Sequence, residues 1–204
     1  MKTPTHYFRF LAISALFVAG LAHGADKELH VRGEITGISA TAVTVKERGG
    51  ETVNLGLPPK YDVMEVSRTT LAGVSENSYI GVAAAPLGPD KVRALGLLVF
   101  PEGARGLNEG FFPWDLKKNS TMTNATVAKL VKVAGTGGEI QVRYGDRTQT
   151  VIIDGATTIG QFVPATPALL IVGAKLFVVA SQADGAAAVG HLFLVGKDGF
   201  LPPF

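Results

Sequence analysis

The chain repeats one pattern of short β-type segments. Residues 29–103 and 124–199 carry runs in which apolar and polar residues alternate, separated by turns rich in glycine and proline. Such alternation is typical of strands with one buried face. In their later parts the two copies align at an offset of 96, which places Val82 on Val178. The repeat therefore predicts an all-β fold built from two copies of a small unit.

The size of each copy favours a small barrel. Five or six short strands within about 70 residues are typical of a closed or partly closed barrel of the OB type. We predict two tandem OB-like β-barrels, at residues 25–103 and 124–204, joined by an ordered linker at residues 104–123. Barrels of this size are marginally stable alone, so packing against each other would stabilise both. Because the copies share a pattern and few identical residues, one larger β-sandwich is the alternative.

Residues 1–24 have the features of an export signal. A short basic stretch precedes the apolar run Phe10–Leu21, and the small residues Ala22 and Gly24 suit cleavage before Ala25. A bilayer span takes about 20 apolar residues, which is more than this run offers. We therefore expect a periplasmic or secreted protein with no membrane span after signal cleavage. An uncleaved anchor is the alternative.

Signal removal changes the charge of the protein. The whole chain has 19 basic and 17 acidic residues and a formal net charge of +2. Lys2 and Arg9 leave with the signal, which contains no acidic residue, so the remaining chain is neutral. Nucleic-acid binding depends on clustered positive charge, so we expect no nucleic-acid partner. The chain has no cysteine, which excludes disulfides and thiolate chemistry.

The segment between the copies is unusually aromatic for a linker. It contains Phe111, Phe112 and Trp114, and Trp114 is the only tryptophan of the chain. A flexible linker lacks such residues, and three aromatic side chains left in water would form an exposed patch. We therefore predict that residues 104–123 are ordered and packed into the groove between the barrels.

This aromatic segment is also the candidate binding site. As a binding surface for an unknown protein or small ligand, it would use Trp114 as its anchor. As a structural element, which is the simpler interpretation, it would only fill the groove. The candidate residues are Glu109, Phe111, Phe112, Trp114 and Asp115.

The sequence offers little for catalysis or metal binding. His30 and His191 are the only histidines after the signal, and each alternates with apolar residues in a predicted strand. Nucleophilic catalysis needs a positioned base, and a zinc site needs three or four ligands. We therefore predict a non-enzymatic protein with no catalytic residue, cofactor or metal site. The alternatives are a periplasmic metal-handling accessory protein that uses both histidines and nearby acids, and a hydrolase with an unrecognised carboxylate pair.

One string of residues resembles a known group of proteins. Pro113–Leu116, followed by Ser120–Asn124, is similar to a segment of uncharacterised secreted proteins of proteobacteria, which also share a closing Gly196–Gly199. The resemblance covers most of the chain after the signal and implies OB-fold-like domains with a binding or structural role. Similar sequences sometimes carry the label of metal transporter permease. A permease needs several spanning helices, and no later run of this chain has the required length.

Overall fold

The computed structural model describes residues 26–132 and 137–204, so the signal predicted at residues 1–24 lies outside the described residues. The described chain forms β-strands and four short 3-10 helices, and it contains no α-helix. The prediction of an all-β fold is therefore confirmed. No helix in residues 26–132 and 137–204 is long and apolar enough to cross a membrane.

The strands follow the repeat of the sequence, with one additional strand between the copies. The first copy contains β1 (Lys27–Ile38), β2 (Ala42–Glu47), β3 (Thr52–Gly56), β4 (Asp62–Arg68), β5 (Tyr79–Gly88) and β6 (Lys91–Val99). The aromatic segment contains the short strand β7 (Gly110–Pro113). The second copy contains β8 (Thr121–Lys132), β9 (Gly138–Tyr144), β10 (Arg147–Ile153), β11 (Thr158–Pro164), β12 (Lys175–Gln182) and β13 (Val189–Gly196).

Local sequence explains the hairpins. In β1 the buried Val31 and Ile35 alternate with the exposed Glu34 and Thr36, as expected for a strand with one face towards a core. β9 and β10 are joined by a tight turn in which Gly145 has a φ of 50°, a conformation that glycine adopts without steric cost. These short-range features place the strands where the sequence predicted them.

The pairing of the strands crosses between the two copies. β1 pairs with β2 of its own copy and with β12 of the other copy. In the same way β8 pairs with β9 and with β5 of the first copy. The strands thereby close into two rings within one sheet. Ring 1 consists of β1, β2, β3, β12 and β13, and ring 2 consists of β8, β9, β10, β5 and β6. Tandem barrels at residues 25–103 and 124–204 are thus not confirmed, because each ring draws three strands from one copy and two from the other.

The two rings close to different extents and remain parts of one sheet. Ring 2 closes where β10 lies parallel to β6 over Lys91–Arg93, and ring 1 closes only where Val189 of β13 lies opposite Gly56 of β3. Between the rings, β4 pairs antiparallel with β11. β4 also pairs with β13 of ring 1, and β11 also pairs with β6 of ring 2, so these two strands join the rings. Equivalent strands make equivalent pairings in both halves, so the molecule has an approximate two-fold symmetry.

Apolar side chains form three clusters. One fills ring 1 around Ile35 and Phe193, and a second fills ring 2 around Leu97 and Ile140. The third cluster lies between the rings and contains side chains from both copies and from the aromatic segment. Its main members are Val66, Leu98, Met122, Phe162, Phe177, Leu194, Phe200 and Phe204, with Phe112 and Trp114 packed against them.

Candidate functional site

The outer face of ring 1 is one wall of a cleft between the rings. Two rows of side chains cross β4, β13, β12 and β1 in register, and residues that lie opposite each other in adjacent strands share one face. The first row is Asp62, Leu192, Val179 and His30, and the second is Met64, Leu194, Phe177 and Arg32. This wall is therefore apolar in its middle, with Asp62 at one end and His30 and Arg32 at the other.

The corresponding face of ring 2 is lined by small residues. Gly81 of ring 2 corresponds to Phe177 of ring 1, because the two positions differ by the repeat offset of 96. A Cβ on Gly96 would lie 2.3 Å from the carbonyl oxygen of Pro203, and a Cβ on Gly81 would lie 3.1 Å from the ring of Phe204. The small residues of ring 2 thus make room for residues 200–204, which pack across this face and supply Phe204 to the cleft.

The aromatic segment is attached to ring 2 at its first part. β7 pairs antiparallel with β8, and Phe112 lies opposite Met122. Phe111 stacks on Tyr144 with 6.3 Å between the ring centroids and an interplanar angle of 16°, and it remains 44% exposed. The carboxylate of Glu109 accepts a hydrogen bond of 2.8 Å from the backbone N–H of Gly145. Phe112 therefore faces the space between the rings, whereas Phe111 and Glu109 contact the β9–β10 hairpin of ring 2.

Tyr79 fixes the beginning of the segment from inside the protein. Its hydroxyl donates a hydrogen bond of 2.9 Å to the backbone carbonyl of Leu107. Burial, together with the nearby negative charge of Glu109, raises the pKa of Tyr79 to about 12 against the opposing effect of Arg105. The hydroxyl therefore keeps its proton and remains a hydrogen-bond donor at neutral pH.

The second part of the segment is attached to ring 1. The ring of Trp114 lies 4.1 Å from the ring of His30, centroid to centroid, at an angle of 36°. Asp115 accepts hydrogen bonds of 2.5 and 3.3 Å from the two terminal nitrogens of Arg32. A turn closed by the hydroxyl of Ser120, which donates to the backbone carbonyl of Trp114 at 2.9 Å, holds this part of the chain in shape. The aromatic segment thus connects the two rings directly.

Burial and neighbouring charges act in opposite directions on the pKa of Asp115. Desolvation by burial acts to raise the pKa of Asp115, but the hydrogen bonds and positive charges of Arg32 and His30 outweigh it and hold the pKa below its usual value. His30 places Nδ1 3.1 Å from Asp115 and Nε2 3.1 Å from Glu28. Both contacts are hydrogen bonds when both ring nitrogens carry a proton. Arg32 and His30 are therefore already occupied by carboxylates of the protein.

The cleft contains a cavity of about 300 Å³. This volume lies at the lower end of the range of about 300–1,000 Å³ found for small-molecule sites. Both rings, the aromatic segment and residues 200–204 contribute to its walls. The aromatic lining residues are Phe100, Phe112, Trp114, Phe162, Phe177 and Phe204. The polar lining residues are Glu28, His30, Asp62, Asn108 and Asn124.

Trp114 occupies its position at a cost in stability. Its indole N–H is buried and has no hydrogen-bond partner in the described part of the chain. An unpaired buried donor costs about 1–3 kcal/mol. A tryptophan selected only to fill space would normally place this N–H against an acceptor.

Among the residues that the sequence singled out, Phe112 and Trp114 line the cavity. Asp115 contacts His30 beside the cavity without lining it, and Glu109 and Phe111 do not line it either. Phe100, Phe162 and Phe177 also line the cavity, and the sequence did not predict them as site residues. A signal for Phe177 was present, because β12 is apolar on both faces, from Leu176 to Val179. Strands with two buried faces read as continuous apolar runs, which indicates that the outer face is also covered.

The two histidines are not brought to one site. His30 lies at the cleft, whereas His191 contacts Ser181 at 2.7 Å and lines a neighbouring surface depression with Tyr61, Asp62 and Pro167. β12 lies between the strands that carry the histidines. In residues 26–132 and 137–204 no group of three or more His, Cys, Asp or Glu side chains is arranged to hold a metal ion. The metal-handling alternative therefore gains no ligand set from the described residues.

Comparison with protein-family models, with curated proteins and with solved structures found no match to this chain, so the resemblance to secreted proteobacterial proteins stays a prediction.

Proposed function

We propose that the protein binds a small, mainly apolar ligand in the cleft between the rings and that the aromatic segment forms the cover of this site. The observation that carries the proposal is the cavity of about 300 Å³ with aromatic walls. The cavity is partly open to solvent, so a small molecule can enter it without unfolding of the rings. A segment that served only as structural filling would be expected to fill the groove, whereas Phe112 and Trp114 leave space beside them.

The role we propose is binding without catalysis. Of the polar groups at the cavity, His30 is engaged by Glu28 and Asp115, and Asn124 contacts the carbonyl oxygen of Leu107. Nucleophilic catalysis would require a nucleophile within hydrogen-bond reach of a free base. The arrangement favours retention of a ligand, because apolar walls supply affinity and few polar groups define its orientation.

We also propose that residues 1–24 direct the protein to the periplasm or out of the cell, and that rings 1 and 2 are OB-like units that have exchanged strands. Support for export comes from the apolar run Phe10–Leu21 and the small residues before Ala25. Support for the OB-like assignment comes from the five strands of each ring. Expression of the full chain in bacteria, followed by intact-mass measurement of the periplasmic fraction, should give a mature protein that begins at Ala25. A protein of full mass in the cytoplasm would contradict export.

The binding proposal can be tested with the emission of Trp114, since no other tryptophan contributes to the signal. Titration of the mature protein with the uncharged apolar dye N-phenyl-1-naphthylamine should quench the emission of Trp114 and increase that of the dye. The signal should saturate at one dye per protein. A lack of saturable binding would overturn the proposal.

A pair of matched variants locates the dye. Val179 lines the cavity, whereas Val163 lies on β11 with 48% of its surface exposed and does not line it. Val179→Phe should fill part of the cavity and weaken dye binding at least tenfold, while Val163→Phe should bind as the wild type does. Circular dichroism checks that both variants are folded. Equal binding by a folded Val179→Phe variant would place the dye outside the cleft.

A further inference from the structure

The cavity is lined by more acidic than basic side chains. Glu28 and Asp62 contribute carboxylates, and His30 is the only basic lining residue in the described chain. His30 is held between Glu28 and Asp115, so it offers no free positive charge to a ligand. An anionic ligand would therefore be desolvated beside carboxylates with no cation to compensate it, which is unfavourable.

Asp62 is the carboxylate that remains available. It lies at the end of the first row of the ring 1 wall, next to Leu192, and it forms no side-chain hydrogen bond or ion pair within residues 26–132 and 137–204. His30 lies at the other end of the same row, three strand spacings away, which is about 14 Å. The apolar side chains of Leu192 and Val179 separate the two charged ends. Asp62 therefore stands at the edge of the cavity, with the apolar surface of the cavity on one side and the depression lined by Lys60 and His191 on the other.

The aromatic walls are compatible with a cation. The guanidinium of Arg32 already lies 5.2 Å from the ring centroid of Phe177 and 5.9 Å from that of Trp114. Aromatic rings attract cations within about 6 Å of their faces. These two rings already have Arg32 as their cation and lie towards the His30 end of the wall, so an ammonium group at Asp62 would depend on the carboxylate and not on them.

We propose that the ligand is an apolar amine that is protonated at neutral pH, with its ammonium group at Asp62 and its alkyl or aryl body in the cavity. This inference rests on the binding function proposed above and specifies the chemistry of that site. The apolar body supplies most of the affinity. The carboxylate of Asp62 selects the positive charge against neutral and anionic compounds of the same shape.

Three compounds with eight carbon atoms each test this selection. Octylamine, octanol and octanoate should each be titrated below their micelle concentrations into the mature protein, with Trp114 emission or displacement of N-phenyl-1-naphthylamine as the signal. We expect octylamine to bind about twofold to fivefold more tightly than octanol, the range for a partly exposed ion pair. Octanoate should bind more weakly than octanol. Added salt should weaken the binding of octylamine and leave that of octanol unchanged.

Asp62→Asn removes the charge and keeps the size of the side chain, so it should abolish the preference for octylamine without weakening octanol. Asp146→Asn is the matched control, since Asp146 is an exposed acid in the β9–β10 turn of ring 2. This control should behave as the wild type does. Equal binding of octylamine and octanol to the wild-type protein, or an unchanged preference in Asp62→Asn, would overturn the amine assignment and leave cleft binding in place. Failure of the dye and of all three compounds to bind would instead overturn the proposed binding function.

Discussion

At the scale of single residues, Asp115 joins the aromatic segment to ring 1. The Arg32 and His30 side chains that contact it are only 12% and 11% exposed, whereas the side chain of Asp115 itself is 52% exposed. The energy of this contact should therefore be intermediate. An exposed ion pair contributes about 0.2–1 kcal/mol, and the disruption of a buried one costs about 3–5 kcal/mol. Removal of the carboxylate leaves Arg32 partly buried without its main partner.

We therefore expect Asp115→Asn to lower the free energy of unfolding by about 1–2 kcal/mol at pH 7. Urea unfolding, followed by Trp114 emission and circular dichroism, measures this change. Asp154→Asn is the matched control, because Asp154 pairs with Arg93 at 3.0 Å on the exposed surface. The control should lose less than about 0.5 kcal/mol. A loss no larger in Asp115→Asn than in Asp154→Asn would contradict the role of Asp115.

The lowered pKa of Asp115 gives the same contact a defined pH dependence. A carboxyl group whose pKa is lower in the folded state stabilises the protein above its unfolded value, about 3.9 for aspartate. This stabilisation is lost as the pH falls through the lower folded value. The difference in unfolding free energy between wild type and Asp115→Asn should therefore persist from pH 7 to about pH 5 and shrink below about pH 4. An equal difference at pH 7 and pH 3 would show that the carboxylate charge is not involved.

At the scale of elements, the sequence was sufficient to predict the strands and insufficient to predict their partners. Alternation and turn residues are local, so they locate β1 and the hairpin around Gly145 directly. β12 would present the same apolar face to a core whether it paired with β8 or with β1. Pairing between copies is a long-range property that a repeated pattern leaves ambiguous. The crossing of the copies therefore could not be predicted from the pattern.

The same distinction applies to the candidate site. Trp114 could be singled out from the sequence because aromatic residues are unexpected in a linker. Its neighbours His30 and Phe177 come from β1 and β12, which are adjacent only because the copies exchange strands. Asp62 reaches the cavity through the pairing of β4 with β13. The residues of the cleft thus depend on the topology, which explains why only the part contributed by the aromatic segment was found from sequence.

At the scale of the whole molecule, the exchange of strands makes the two copies interdependent. β1 pairs with β12 over Lys27–Glu34, and β5 pairs with β8 over Tyr79–Ala84. The two copies cannot separate without breaking both rings and the central pair of β4 and β11. In a tandem arrangement each copy would instead keep its own ring, and the connecting segment alone would hold the barrels on one chain.

A cut between the copies distinguishes these arrangements. Residues 103–106 are exposed apart from Ala104, and Gly106 has a φ of 82°, so a protease site inserted after Gly106 should be accessible and tolerated. After cleavage of the folded protein, we expect the two fragments to elute together from a size-exclusion column at the position of the uncut variant. They should separate only in denaturant, because the pairings of β1 with β12 and of β5 with β8 do not pass through the cut. Two separately eluting fragments that are each folded would show that every copy forms its own barrel. The uncut variant is the control for the insertion, and Trp114 emission reports whether the cleft survives the cut.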